Sequence, residues 1–366
     1  MAVLGLTPAL NAQTYGAASN SGEPITFSEL FSVAAGAQPV AYPFNGATQG
    51  AAGQLVASPD DHLYTFFGTE GGTPVFNRLD YKGEAAPLYT LSASQGRPYV
   101  MFLGADGKFY GLSLMNNTTS AGIFRLTAKG SFSWVLPTFS TGTYGVSYSI
   151  ALIQAGNGKF YGTLPQGGSA NAGSIYEATL DGKMRTIYEF PQLRSGIPET
   201  LLQASDGMLY GTARGLYQVS QTSSIFRLNP NTGAFTTIYG PLSPTQGSCE
   251  CQLIQGSDGK LYGVAENGAT YGGGTVFVLD AGLPPPKPQV GLFVPQAGSA
   301  GQRILLWGGS LLGATAVAFN GTAATQFKVA SNQGIWVNVP PGATTGPISV
   351  TTPNGTYVTT QSFTVN

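Results

Sequence analysis

Apolar and polar residues alternate along most of this chain in short runs, each broken by Gly, Asn, Asp or Ser. The stretch from Leu201 to Tyr239 shows the grammar. Leu201-Leu202-Gln203-Ala204 leads into Asp206-Gly207, and Met208-Leu209-Tyr210-Gly211 follows. After a variable loop come Ile225-Phe226-Arg227-Leu228, another Gly-bearing turn, and Phe235–Tyr239. Runs of this length and alternation predict strands, and D-G or N-G between them predicts hairpins, because those residues supply positive φ at low cost. The long amphipathic stripes of a helical protein are absent.

The same phrase recurs as L-I-Q-A-x-[DN]-G-x-[LF]-Y-G. It is clear at Leu152–Gly162, Leu201–Gly211 and Leu253–Gly263, weaker at Met101–Gly111, degenerate at Leu55–Thr65, and faint around Tyr15. Its tyrosines, Tyr64, Tyr110, Tyr161, Tyr210 and Tyr262, are 46 to 52 residues apart. A period near fifty with four strands per unit predicts the blades of a β-propeller over residues 13–282. The last unit lacks a fourth strand, whereas Ile25–Val33 and Pro39–Phe44 read as a third and a fourth. Six blades follow if the segment around Tyr15 completes the first unit, and this count is preferred. Five follow if Pro39–Phe44 closes the last blade.

Past Leu283-Pro-Pro-Pro-Lys-Pro288, a stiff spacer (283–288), the pattern changes. Residues 289–366 contain no Asp or Glu, and strand-like runs such as Ile304–Trp307, Ala316–Gly321, Ile335–Pro340 and Gly346–Val350 alternate with turn signals. That spacing predicts an immunoglobulin-like β-sandwich. The whole chain is therefore expected to be all-β, a propeller followed by a sandwich, with the proline spacer limiting the surface the two share.

Composition narrows the function. Only 9% of the 366 residues are charged and the net charge is −1, which offers neither nucleic acid nor an anionic membrane a basic surface. No apolar run is long enough to span a bilayer, so no membrane insertion is expected. Residues 1–12 read as the back half of a secretory signal, without its basic start, and point to a secreted or cell-surface protein. Cys249 and Cys251, two residues apart, would close a strained disulfide ring and lack the further ligands of a zinc site.

The phrase D-G-x-L-Y-G and the T-V-F-x-L segment at Thr275–Leu279 resemble the GloVer-type tandem repeats of secreted bacterial proteins, loosely kelch-like in length. The resemblance spans roughly residues 13–280 and fades where Asp60-Asp61-His62 replaces the Asp-Gly pair. It implies a propeller and a secreted or surface setting, and no particular reaction. Residues 289–366, with Pro295 to Gly298, A-V-A-F-N-G at 316–321 and Pro341-Gly342-Ala343, resemble the IPT/TIG domain.

Candidate chemistry is sparse. No nucleophile elbow, H-E-x-x-H or P-loop is present, no cofactor is called for, and His62 is the lone histidine, read as an exposed turn residue. In a propeller, the turns joining strands one–two and three–four share one face, and the remaining loops share the other. Asp106, Asp206 and Asp258 belong to the first set and shape turns. Charges outside the repeat fall in the second set: Glu70, Arg97, Arg194, Glu199, Arg214, Glu250 and Glu266, with Tyr99, Tyr144, Tyr217 and Tyr271. Glu199, Arg214, Arg194, Tyr217 and Tyr271 are the candidate ligand contacts, since tyrosine rings stack on sugars and Arg or Glu bonds their polar groups. Three readings stay open. The first is a binding or adhesion module for a polysaccharide or cell-surface protein. The second is a glycan hydrolase or lyase using Glu250 and Glu266 as a carboxylate pair, and the third is a structural assembly component. The C-terminal module reads as a spacer or stabiliser with Trp307 and Trp336 expected in its core, the alternative being glycan contact through one of them.

Overall fold

The structure is a computed structural model. It describes residues 7–8, 13–19, 27–34, 40–45, 51–52, 55–58, 60, 62–68, 73–80, 84–115, 120–140, 151–165, 168–170, 172–191, 197–214, 223–240, 253–265, 275–330 and 332–366. Up to residue 52 it gives the backbone pairing alone.

Six antiparallel sheets follow one another through the repeat, each made from strands consecutive in sequence. The first comprises Thr7–Pro8, Gln13–Ser19, Phe27–Ala34 and Val40–Asn45. The second runs from Ala51 to Thr90 and the third from Arg97 to Ser140. The fourth spans Leu152–Glu189 and the fifth Ile197–Tyr239. The sixth has three strands, Leu253–Gln255, Leu261–Ala265 and Thr275–Leu279. Val40–Asn45 pairs with the third strand of its own sheet, from Phe27↔Asn45 to Ser32↔Val40. It is not lent to the sixth sheet, so the described blades number six.

The sheets stack face to face. Tyr64 and Phe66 of the second pack with Phe109, Phe124 and Leu126 of the third. Tyr110 and Ile123 of the third meet Leu152 and Phe160 of the fourth. Tyr161 and Ile175 then meet Leu209, Phe226 and Leu228. Tyr210 and Ile225 meet Leu253 and Leu261. This is the blade-on-blade packing of a β-propeller, and burial of these side chains is its main driving force.

The glycine of Y-G has a local cause. Gly111, Gly211 and Gly263 pair directly across the sheet with Phe124, Phe226 and Phe277, and Gly162 pairs with Tyr176. The ring of each partner lies over its glycine, where a Cβ would approach the ring to between 2.3 and 2.4 Å. A side chain at that position would expel the aromatic that fills the inter-blade core. The second sheet, where Thr65 replaces the glycine, pairs it with Asn77 instead.

The C-terminal region is a sandwich of two sheets. One holds Gln289–Val294, Arg303–Gly309, Gly334–Asn338 and Phe327–Val329; the other centres on Ala316–Phe319, Gly346–Thr352 and Gly355–Val365. Val290, Phe293, Ile304, Leu306, Val317, Phe319, Ile335, Val337, Ile348, Val350 and Phe363 form a single core between them. Trp307 and Trp336 are not in it. Both are half-buried, and the Arg303 guanidinium lies 4.4 Å from the Trp336 ring centre. Alternation puts them on the outer face, because Ile304, Leu306, Ile335 and Val337 take the inner one.

The spacer does not hold the sandwich clear of the blades. Asn354 Nδ2 donates to the carbonyls of Ser257 (3.1 Å) and Pro286 (3.3 Å). Leu292 lies over Gly107, Gly291 faces Ala105, and the Pro284 carbonyl accepts from Ser205 Oγ and Gln255 Nε2. Turns of the third, fifth and sixth sheets thus touch the spacer or the sandwich at the D-G end of the blades.

Candidate functional site

At the D-G end the carboxylates are engaged in building the turns. Asp106 Oδ1 accepts from the Lys108 N–H (3.2 Å) and Oδ2 from the Tyr110 hydroxyl (2.9 Å). Asp206 makes the same pair with Met208 N (3.0 Å) and Tyr210 Oη (3.0 Å), and Asp258 with Lys260 N (3.1 Å) and Tyr262 Oη (2.9 Å). The aspartate thus locks its own hairpin and satisfies a phenol that, for Tyr110 and Tyr210, the blade core buries. Asp60 keeps the bond to Tyr64 (2.6 Å) although its glycine is gone. Burial, then the aspartate, raise the Tyr110 and Tyr210 phenols to about 12.

The fourth sheet solves the problem differently. Asn157 stands where its neighbours have aspartate, and Glu177 stands where they have Arg125 and Arg227. Glu177 Oε2 accepts from the Tyr161 hydroxyl at 3.1 Å, while Lys159 Nζ (3.0 Å) and Arg185 Nε (3.1 Å) bond Oε1. Its side chain is 6% exposed. The Arg185 bonds lead in holding this carboxyl down at about 2. An Asp/Arg pair has been exchanged for an Asn/Glu pair with the charge restored by Lys159 and Arg185.

Sequence reasoning missed the glutamine of L-I-Q. Gln154 Oε1 accepts the Ala105 N–H of the preceding sheet (3.1 Å), while its Nε2 donates to Gly158 O of its own turn (3.1 Å). Gln203 does the same with Gly156 N (2.7 Å) and Gly207 O (3.1 Å), and Gln255 with Ser205 N (2.8 Å) and Gly259 O (3.1 Å). Each glutamine ties one blade's turn to the next. Its recurrence in the repeat was the signal, but recurrence alone does not reveal a partner a whole unit upstream.

The candidate ligand contacts Arg194, Tyr217 and Tyr271 and the candidate catalytic pair Glu250 and Glu266 lie outside the described residues, as do Glu70, Tyr144, Cys249 and Cys251. Arg214 closes the strand Leu209–Arg214, its backbone paired with Ile197 and Ser223. Glu199 is 1% exposed, with its N–H on the Thr212 carbonyl at 2.9 Å, which puts it behind the surface rather than on it. Tyr99 is exposed. His62 opens a strand rather than sitting in a turn, its Nδ1 2.8 Å from the Asp60 carbonyl oxygen. Among the described residues no group of three or more His, Cys, Asp or Glu is placed to hold a metal ion.

No curated protein matches the chain. Among solved structures, a fungal alcohol oxidase of the AA5 family in complex with copper is similar over 98% of both chains (12% identity, TM-score 0.44). The PQQ-bound aldose sugar dehydrogenase of Streptomyces coelicolor is 15% identical over 75% of this chain and 95% of its own, with a TM-score of 0.42. Regucalcin of Agrobacterium tumefaciens, a calcium-binding protein, is 12% identical over 75% of this chain and 87% of its own, with a TM-score of 0.46. The sequence itself says more: the model of the Gloeobacter/Verrucomicrobia repeat matches residues 5–217 and again 97–288. Those two matches span the repeating Asp–Tyr turns, the Y-G pairings and the inter-blade glutamines, and the chain belongs to the Gloeobacter/Verrucomicrobia repeat family.

Proposed function

We propose that this is a secreted or cell-surface binding module that presents the loops opposite its D-G turns to a polysaccharide or a cell-surface protein. The observation that carries this reading is the division of labour between the two ends. At the D-G end, Asp106, Asp206, Asp258 and Glu177 are taken up by turn N–H groups, phenols and cations, and the spacer and sandwich lie against three of the turns. A ligand therefore has the other end to use, where Arg214 closes its strand and to which the repeat pattern of the sequence assigns Arg194, Tyr217 and Tyr271. Residues 289–366, resembling an IPT/TIG domain and lacking carboxylates, act as a support in this reading.

A glycan array run beside a reducing-sugar assay tests it. Binding without release of reducing ends is expected, and R214A should weaken it by about 1–3 kcal/mol, the scale of a lost charge-assisted hydrogen bond. Release of reducing ends that stops on replacing Glu250 or Glu266 would favour the hydrolase or lyase instead.

A further inference from the structure

The sixth sheet carries an apolar face that the third, fourth and fifth sheets bury. Val264 pairs with Val276, the register that Leu112↔Ile123, Thr163↔Ile175 and Thr212↔Ile225 hold in sheets three to five. Those six side chains are at most 1% exposed, because the following blade covers them. Val264 and Val276 are 55% and 75% exposed, and Ile254 and Val278 beside them are also bare. The sixth sheet has no fourth strand among the described residues, so Thr275–Leu279 is an edge as well. An open apolar face beside an unpaired edge is a surface that soluble proteins cover.

We infer that the first sheet of the same chain, Thr7–Asn45, docks on this face and closes the ring by face packing alone, with no strand exchanged across the seam. Its backbone register supplies the argument. Gly16 pairs with Phe31 and Thr14 with Val33, reproducing the Gly211↔Phe226 and Leu209↔Leu228 pairs of the fifth sheet. Phe226 and Leu228 are the residues that cover Tyr161 and Ile175 of the blade before. Phe31 and Val33 hold the same positions, and the repeat family's match already begins at residue 5. The seam also differs from the three interfaces that a glutamine staples, as do the two where Ala57 and Leu103 hold that register. Pro8 holds the register of the stapling glutamines, opposite Thr14 as Gln203 is opposite Leu209, and a proline has no side-chain amide to offer. At the turn such a staple would reach, Asn354 of the sandwich donates to the Ser257 carbonyl instead. The ring is thus closed by apolar packing within and fastened from outside by the sandwich.

Maleimide labelling of V276C, in a full-length C249S/C251S background, reads the seam directly. V358C, on the sandwich and 54% exposed, is the reference. With the first sheet in place, V276C should react at least about 10-fold more slowly than V358C, since labelling must await local opening. Adding F31D should remove most of that protection. Equal rates for V276C and V358C overturn the inference. So does protection that vanishes on dilution with a dimer mass in light scattering, which would make a second copy the occupant. Should V276C fail to fold, hydroxyl-radical footprinting of the unmodified chain decides at Tyr262 and Val264. Protection there that F31D abolishes supports the seam, and modification at the rate of free peptide refutes it.

Discussion

The blades and the sandwich are both antiparallel β-structure, but they are held together in different ways. The sandwich has one contiguous core, with Ile304, Leu306, Ile335, Val337, Ile348 and Val350 from two sheets interdigitating, and residues 289–366 do without a single carboxylate. From the second sheet to the sixth the blades have a separate core at each interface, and the three interfaces from the third sheet to the sixth are supplemented by a polar set: an aspartate or asparagine in the turn, a tyrosine four residues on, and a glutamine from the next unit. Each blade contacts mainly its neighbours, so a device that fastens one interface does nothing for the next. A sandwich core closes on itself and needs no such repetition.

Glycine substitution should separate the two most sharply. G211A would bring a Cβ to 2.2 Å from the Thr200 carbonyl oxygen and 2.4 Å from Phe226, so a loss of about 3 kcal/mol is expected in thermal or denaturant unfolding. G309A in the sandwich meets nothing within 4 Å and should stay within about 0.5 kcal/mol of the parent.

Acid comes next. Glu177 is held down at about 2, and Asp106 and Asp258 are also lowered. A depressed carboxyl contributes fully above its unfolded value near 4.5 and loses that contribution as pH falls through its folded value. Hydrogen exchange followed from pH 5 to pH 2 should therefore show the blades losing protection progressively while residues 289–366 keep theirs. E177Q should flatten the part belonging to the fourth sheet. Equal acid sensitivity in the two regions would erase the distinction.

Single turn groups should cost less. D206A removes the acceptor for Met208 N, Tyr210 Oη and Arg227 and leaves the hydroxyl of a buried tyrosine unmatched, for about 2 kcal/mol by chemical denaturation. Q203A breaks one bond within a blade and one between blades, for about 1 kcal/mol. Its more telling readout is hydrogen exchange at Gly156, whose N–H loses its partner. Unchanged protection there would mean that the staple contributes nothing to blade association.

Much of this molecule was legible in its sequence because the causes are local. Alternation marked the strands, D-G and N-G marked the hairpins, and the spacing of Tyr64, Tyr110, Tyr161, Tyr210 and Tyr262 marked the unit, since each depends on residues within a few positions of one another. The reading of Asp106, Asp206 and Asp258 as turn residues rested on the same ground. What three dimensions decided were the contacts between distant parts. The partner of each glutamine lies a whole unit away; Glu177 replaces an aspartate twenty positions upstream of it only because two strands pair; Glu199 reads as a loop charge but is enclosed. The tryptophans of the sandwich took its outer face because the neighbouring aliphatics claimed the inner one, a choice that alternation leaves open until one face is known to be buried. Periodicity specifies which residues share a face, whereas burial depends on what is brought against that face, and that is settled only when the blades, the spacer and the sandwich are assembled.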